Sequence, residues 1–232
     1  MSHPTVVPLQ RPPAFTAVAV AFDLLTGLLD SWTLWNRVAG GAELGLRWRK
    51  EYLRQTYGAG RYRPYEDLVR SSADVAGVER RAAERLFQEW ETIEPWPEAQ
   101  GVLAELARRV PLAVVTNCSE RLATAAVAAI GVELAVVVTA ERAGWYKPRP
   151  EPYALALQEL GLSSDRVLFV AGSPSDIGGA GGLGMRVFWH NRIGLELLPA
   201  MASSGTHLVA TAPSLLPLIE LVPARDADPP LG

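Results

Sequence analysis

The chain has 232 residues, 49% of them apolar and 20% charged, with a formal net charge of −3. That is the make-up of a globular enzyme with room for a core domain and a smaller inserted one, and it lacks the basic excess that a nucleic-acid partner would require. Cys118 is the only cysteine, so an intrachain disulfide and a cysteine metal site are both excluded, which suits a reducing cytoplasm.

Residues 1–13, with Pro4, Pro8, Pro12 and Pro13, have no basic segment leading into an apolar stretch, and they read as a disordered N-terminus without a signal peptide. The apolar run Val18–Phe22 predicts a buried β-strand. It delivers Asp23 into the turn Leu24-Leu25-Thr26-Gly27-Leu28-Leu29-Asp30, a common way to present a nucleophile. Residues 31–94 then contain no β-rich run. Their periodicity predicts the helices Trp32–Val38, Ala42–Tyr57, Pro64–Ala76 and Glu79–Thr92. The arginine-rich stretch from Arg47 to Arg63 reads as a solvated helix face. The helix-spaced aromatics Trp32, Trp35, Trp48 and Tyr52 suit either a core or a water-poor pocket.

Glu94-Pro95-Trp96-Pro97 marks the return to alternating order. Strands are predicted at Leu112–Val115, Ala135–Val138, Val167–Val170 and, more weakly, Arg186–Trp189. Between them lie the helices Ala99–Arg109, Arg121–Ile130 and Pro152–Leu160, the last two closing at Gly131 and Gly161. This alternation predicts an α/β fold with a Rossmann-like parallel sheet, its chemistry gathered at the carboxyl ends of the strands. The all-helical segment inserted after the first strand predicts a cap above that edge. The expected division is a core of residues 14–30 and 95–224, a helical cap of 31–94, and a disordered tail of 225–232. No segment reaches the roughly 18 apolar residues of a membrane span, so no membrane partner is expected.

From Ala17 to Leu221 the chain resembles the haloacid dehalogenase superfamily, and more narrowly its L-2-haloacid dehalogenase branch. The resemblance is carried by Phe22-Asp23 with its turn, the helical insertion, Val115-Thr116-Asn117, Tyr146-Lys147-Pro148 with Tyr153, and Val170-Ala171-Gly172-Ser173-Pro174-Ser175-Asp176. It implies that Asp23 is the nucleophile, with Leu24 beside the substrate. Thr116 and Asn117 would bind a substrate oxyanion while also capping the next helix. Lys147 would neutralise the clustered carboxylates and position the hydrolytic water, with Asp176 as its buried counter-ion. Trp48-Arg49 matches the pattern from which the branch takes its halide-abstracting arginine, and the match continues through Lys50, Leu53 and Tyr57. Asn117 resembles the second halide contact, and Tyr153 a tyrosine that closes the pocket.

The departures discriminate between chemistries. Phosphatases of the superfamily carry a second aspartate two places after the nucleophile, which protonates the leaving group and lends its carbonyl to Mg²⁺; here that residue is Leu25. One of their further metal carboxylates is replaced by Gly172. The resemblance therefore implies a metal-independent, cofactor-free (S)-2-haloacid dehalogenase acting through a covalent ester on Asp23. Its small-molecule partner would be a 2-halo carboxylic acid, and a homodimer is compatible. Two other readings remain open: a Mg²⁺-dependent small-molecule phosphatase, and a degenerate, non-catalytic binding protein. The second is motivated by Thr26-Gly27, which inverts the branch's Gly-Thr and moves the hydroxyl by one residue. It is also motivated by Ala171 and Ser173, which replace the branch's water-binding serine and asparagine, leaving Ser173, Lys147 and Asp176 to hold the water. Cys118 reads as a buried small residue, and His190 as a packing residue beside Trp189.

Overall fold

The computed structural model describes residues 16–197 and 207–224; the disordered ends expected at 1–13 and 225–232 lie outside them. Six parallel strands form one sheet in the order β3-β2-β1-β4-β5-β6. They are β1 (Ala19–Phe22), β2 (Leu112–Thr116), β3 (Val136–Thr139), β4 (Val167–Ala171), β5 (Arg186–His190) and β6 (Leu208–Ala212). β1 lies between β2 and β4, with Ala21 opposite both Ala113 and Phe169. The chain order thus reverses at β1, and such a switch point opens a crevice beyond the strand ends.

β1, β2 and β4 are buried along their whole length, which explains why they read as unbroken apolar runs. Successive side chains still diverge. Val20 and Phe22 join the core on one face of the sheet, while Ala19 and Ala21 join the core on the other. Complete burial of a residue such as Phe22 contributes about 1.5–3 kcal/mol.

After β1 come α1 (Ser31–Ala39), α2 (Ala42–Ala59), α3 (Tyr65–Ala76) and α4 (Arg80–Gln88), followed by a 3₁₀ turn at Trp90–Thr92. The long helix expected at Glu79–Thr92 is therefore divided. In α2 the four-residue spacing of Trp48, Tyr52 and Thr56 buries one stripe. Trp48 anchors it, donating its indole N–H to Val69 O and Ser72 Oγ, each at 3.0 Å. The other arginines of the Arg47–Arg63 stretch lie outward, but Arg49 is buried. The two chain segments joining these helices to the sheet run side by side. Leu29 bridges Pro95, Asp30 N donates to Glu94 O at 2.8 Å, and Trp96 N donates to Leu28 O at 2.9 Å.

The remaining helices are α5 (Ala99–Ala107), α6 (Glu120–Ala128), α7 (Ala140–Ala143), α8 (Pro150–Leu160), α9 (Ser175–Gly181) and α10 (Leu218–Leu221). Gly161 caps α8 with a left-handed φ of 66°, whereas α6 closes at Ala128, before Gly131. α9 and β6 were not predicted. Among the described residues no helix is long and apolar enough to cross a membrane.

Candidate active site

A cavity of ≈660 Å³ lies between the inserted helices and the carboxyl ends of β1, β2 and β4. A smaller one of ≈460 Å³, beside the paired segments near Trp96, does not include Asp23. From the sheet side, Asp23, Thr26, Thr116, Asn117, Lys147, Ser173, Ser175 and Asp176 reach the larger cavity. From α2 come Leu46, Arg49, Lys50, Leu53 and Tyr57, a three-and-four spacing that puts them on one face of the helix.

Asp23 terminates β1, its backbone N–H held by Val170 O at 2.9 Å. Its two carboxylate oxygens differ. Oδ2 accepts from Thr26 N at 3.1 Å, Thr26 Oγ1 at 2.6 Å and Gly27 N at 3.0 Å. Oδ1 accepts only from Lys147 Nζ, at 2.7 Å. The inverted Thr26-Gly27 pair therefore does not carry the hydroxyl away from the carboxylate, because the turn folds both residues back over Oδ2. Burial alone would raise the Asp23 pKa, but the Lys147 charge and hydrogen bond and the Thr26 bonds outweigh it and hold the carboxyl below its ordinary value.

Lys147 Nζ also lies 3.2 Å from Asp176 Oδ1. Burial would depress the ammonium, yet the carboxylates of Asp176 and Asp23 raise its pKa. Asp176 shifts upward, first through burial and further through the charge of Asp23, against the opposing effects of Lys147 and the Tyr153 hydroxyl. Tyr153 does not line the cavity. It is fully buried against Phe169, with its hydroxyl 2.6 Å from Asp176 Oδ1, and so orients the carboxylate from behind. α9 passes so close that a Cβ on Gly179 would lie 2.6 Å from the Tyr153 hydroxyl.

The other expected site residues divide. Ser173 faces the cavity, its Oγ 2.9 Å from Ser175 Oγ. Asn117 clasps the Lys147 backbone: Oδ1 accepts from Lys147 N at 2.7 Å and Nδ2 donates to Lys147 O at 3.2 Å. One carboxamide hydrogen is left over for the cavity. Thr116 is fully buried, and its hydroxyl meets the Cys118 thiol at 3.4 Å. Burial pushes that thiol up to about 12, so it stays protonated. Leu24 does not line the cavity. Its side chain lies in the core and its carbonyl closes the turn to Leu28 and Leu29, so Leu25 lines the cavity instead. His190 packs edge-on against Trp96, with Nδ1 2.9 Å from Gly27 O, and burial lowers its pKa.

Arg49 lies across the cavity. Its Nη2 donates to Ser31 Oγ at 3.0 Å, and its guanidinium carbon sits 4.1 Å from the Trp32 ring centroid. Nη1 is buried with no hydrogen-bond partner among the described residues. Burial lowers the Arg49 pKa, opposed by Tyr65, Tyr52 and Asp23. The hydroxyls of Tyr52 and Tyr65 are likewise buried without partners, and burial drives both well above the ordinary tyrosine value. They remain neutral donors. A buried guanidinium with an unpartnered N–H, beside neutral O–H groups and with no carboxylate paired to it, is suited to an anion. Sequence reading missed the Tyr52, Tyr65 and Ser175 hydroxyls. Tyr52 does share a helix with Arg49 and Ser175 does precede Asp176, but nothing marked Tyr65.

The donor set does not fit Mg²⁺. Lys147 Nζ stands between the two carboxylates that would have to bind the ion. A Cβ on Gly172 would lie 2.6 Å from Asp23 Oδ2 and closer still to Thr26 Oγ1 and Gly27 N, so no side chain can be added there. The Leu25 carbonyl is engaged by the Ser31 hydroxyl. Among the described residues no group of three His, Cys, Asp or Glu could hold a metal ion.

The family description of haloacid dehalogenase-like hydrolases matches residues 19–184. The (S)-2-haloacid dehalogenase of Xanthobacter autotrophicus is 30% identical, over 81% of this chain and 80% of its own length. Haloacetate dehalogenase H-2 of Moraxella sp. strain B is 28% identical, over 76% of this chain and 86% of its own. In fold, a crystal structure of a dehalogenase with an intermediate complex superposes with a TM-score of 0.79 at 24% identity, covering 90% of this chain and 99% of that one.

Proposed function

The chain belongs to the haloacid dehalogenase-like hydrolase family, and we propose that within it the protein is a metal-independent (S)-2-haloacid dehalogenase. The observation that carries this reading is the buried, unpartnered cluster of Arg49, Tyr52 and Tyr65, with Arg49 and Tyr52 on the same cavity as Asp23. A departing halide would accept from the free N–H and O–H groups. The curated relatives named as haloacid and haloacetate dehalogenases support the same substrate class.

In this proposal residues 31–94 act as the cap and residues 14–30 and 95–224 as the core. The substrate carboxylate rests against the Thr116–Asn117 edge. Asp23 Oδ1 attacks C2, since Oδ2 is already held by three donors. The new O–C2 bond forms as the carbon–halogen bond breaks, and its electron pair leaves with the halide towards Arg49, Asn117 and the two phenols. Orientation inside a closed pocket supplies much of the rate. Lys147, Ser173 and Asp176 then serve hydrolysis of the Asp23 ester, giving a 2-hydroxy acid.

Purified protein is expected to release halide from short (S)-2-halo acids in EDTA, and Asp23→Asn to lower the rate by about 10⁴-fold or more. Ion chromatography of free halide measures both. Equal release by Asp23→Asn would overturn the reading, as would phosphomonoester hydrolysis that requires Mg²⁺ without any halide release.

A further inference from the structure

Three hydroxyls link the inserted helices to the sheet edge inside the cavity. Tyr57, in the last turn of α2, has its hydroxyl 2.5 Å from Ser175 Oγ, and Ser175 Oγ lies 2.9 Å from Ser173 Oγ. All three residues line the cavity that holds Asp23, Lys147 and Asp176.

Burial pushes the Tyr57 hydroxyl upward and keeps it protonated. Either oxygen of each pair can donate; with Tyr57 donating to Ser175 and Ser175 to Ser173, the Ser173 O–H is the donor left at the end of the chain. It stands beside the reacting groups: Ser173 follows Gly172, which abuts Asp23 Oδ2, and its carbonyl accepts from Asp176 N at 3.1 Å.

We propose that Tyr57, Ser175 and Ser173 form a relay that positions the water for hydrolysis of the Asp23 ester. It takes over from the side chains that the resemblance places at Ala171 and Ser173. The proposal rests on the dehalogenase reading and concerns only its second half. The water oxygen accepts the Ser173 hydrogen and gives one proton to Asp176, whose raised pKa makes it the better base of the two carboxylates. The same oxygen adds to Asp23 Cγ. The Cγ–Oδ1 bond then breaks with its electron pair going to the hydroxy-acid oxygen, and Asp176 returns the proton to that oxygen. The regenerated Asp23 carboxyl releases its remaining proton to solvent. Tyr57 and Ser175 touch neither substrate nor reacting atoms and are positioning residues.

Tyr57→Phe and Ser175→Ala separate the two half-reactions. With 2-chloropropanoate in excess over active sites, each variant is expected to release one equivalent of halide per site at close to the wild-type rate. Each then stalls, with steady-state turnover lowered about 100-fold. Mass spectrometry of the Asp23 peptide should show the accumulated ester, and Ser175→Thr, which keeps a hydroxyl, should restore turnover. Equal loss of the burst and the steady state with no ester would overturn the relay, since a merely structural contact would slow both steps. Wild-type protein that forms neither halide nor ester from any 2-halo acid would overturn the dehalogenase reading itself, and the relay with it.

Discussion

The two walls of the cavity solve opposite electrostatic problems. On the sheet side every charge is answered within the protein: Asp23 has four donors, and Lys147 lies between two carboxylates. On the helical side Arg49 is buried with an unpaired nitrogen among neutral phenols. The first arrangement uses its polar groups to hold the Asp23 carboxylate still. The second leaves donors unsatisfied, at a cost to the folded state that a bound acceptor would relieve. Stability and binding capacity are thus sorted to different sides of one cavity.

Removing a cation from each wall should therefore have opposite consequences. Lys147→Met leaves two buried carboxylates facing each other and is expected to cost about 3–5 kcal/mol of stability, read from the urea midpoint. A loss below about 1 kcal/mol would show that the sheet-side charges are not mutually dependent. Arg49→Met should leave the urea midpoint unchanged or higher, because it deletes a poorly compensated buried charge. The same variant should lose about 10²–10³-fold in halide release. If it unfolds as readily as Lys147→Met, the contrast between the walls is wrong.

The smallest expected effect concerns pH. Asp23 sits below its ordinary value, so its contribution to stability is complete above the unfolded carboxylate pKa and disappears as pH falls through the lower folded one. Asp176 is shifted the other way, so its ionisation opposes folding as pH rises through its elevated pKa. In the proposed hydrolysis Asp176 is the base, so its titration would set the acid limb. Tyr153→Phe removes a hydrogen bond that lowers that pKa, and should move the limb to higher pH. A rapid-quench pH profile measures this, and a limb that moves down or stays fixed would reject the assignment.

The strands from β1 to β5 were legible because full or nearly full burial makes each one an apolar run ending at a small or polar residue. β6 was not. It lies at the sheet edge, only partly buried, and its Leu-Val-Ala-Thr-Ala sequence carries little contrast. α9 hid behind its glycines, which lower helix propensity but are what allow the close approach to Tyr153. In the site, Asp23, Lys147, Asp176 and Arg49 could be named from motifs at strand ends and along one helix. The geometry between distant segments could not. Tyr57 meets Ser175 across 118 residues, and the Thr26 hydroxyl reaches Asp23 by a turn geometry that residue order alone did not reveal. Leu24 and Tyr153 were placed one layer too near the cavity for a related reason: position in a motif does not say which way a side chain points.

The paired segments at Leu29–Asp30 and Glu94–Trp96 have a consequence for how the molecule can be rebuilt. Because the hydrogen bonds between them are made before the first inserted helix and after the last, the core closes on itself at that seam. The Trp96 indole and the His190 ring also grip the Thr26 and Gly27 carbonyls from the core side. Ser31, the first residue of α1, holds the Leu25 carbonyl of the same turn from the other side. A foreign segment whose ends meet at the same seam, and which keeps a hydroxyl at that place, would leave the Asp23 turn undisturbed while replacing the far wall of the cavity.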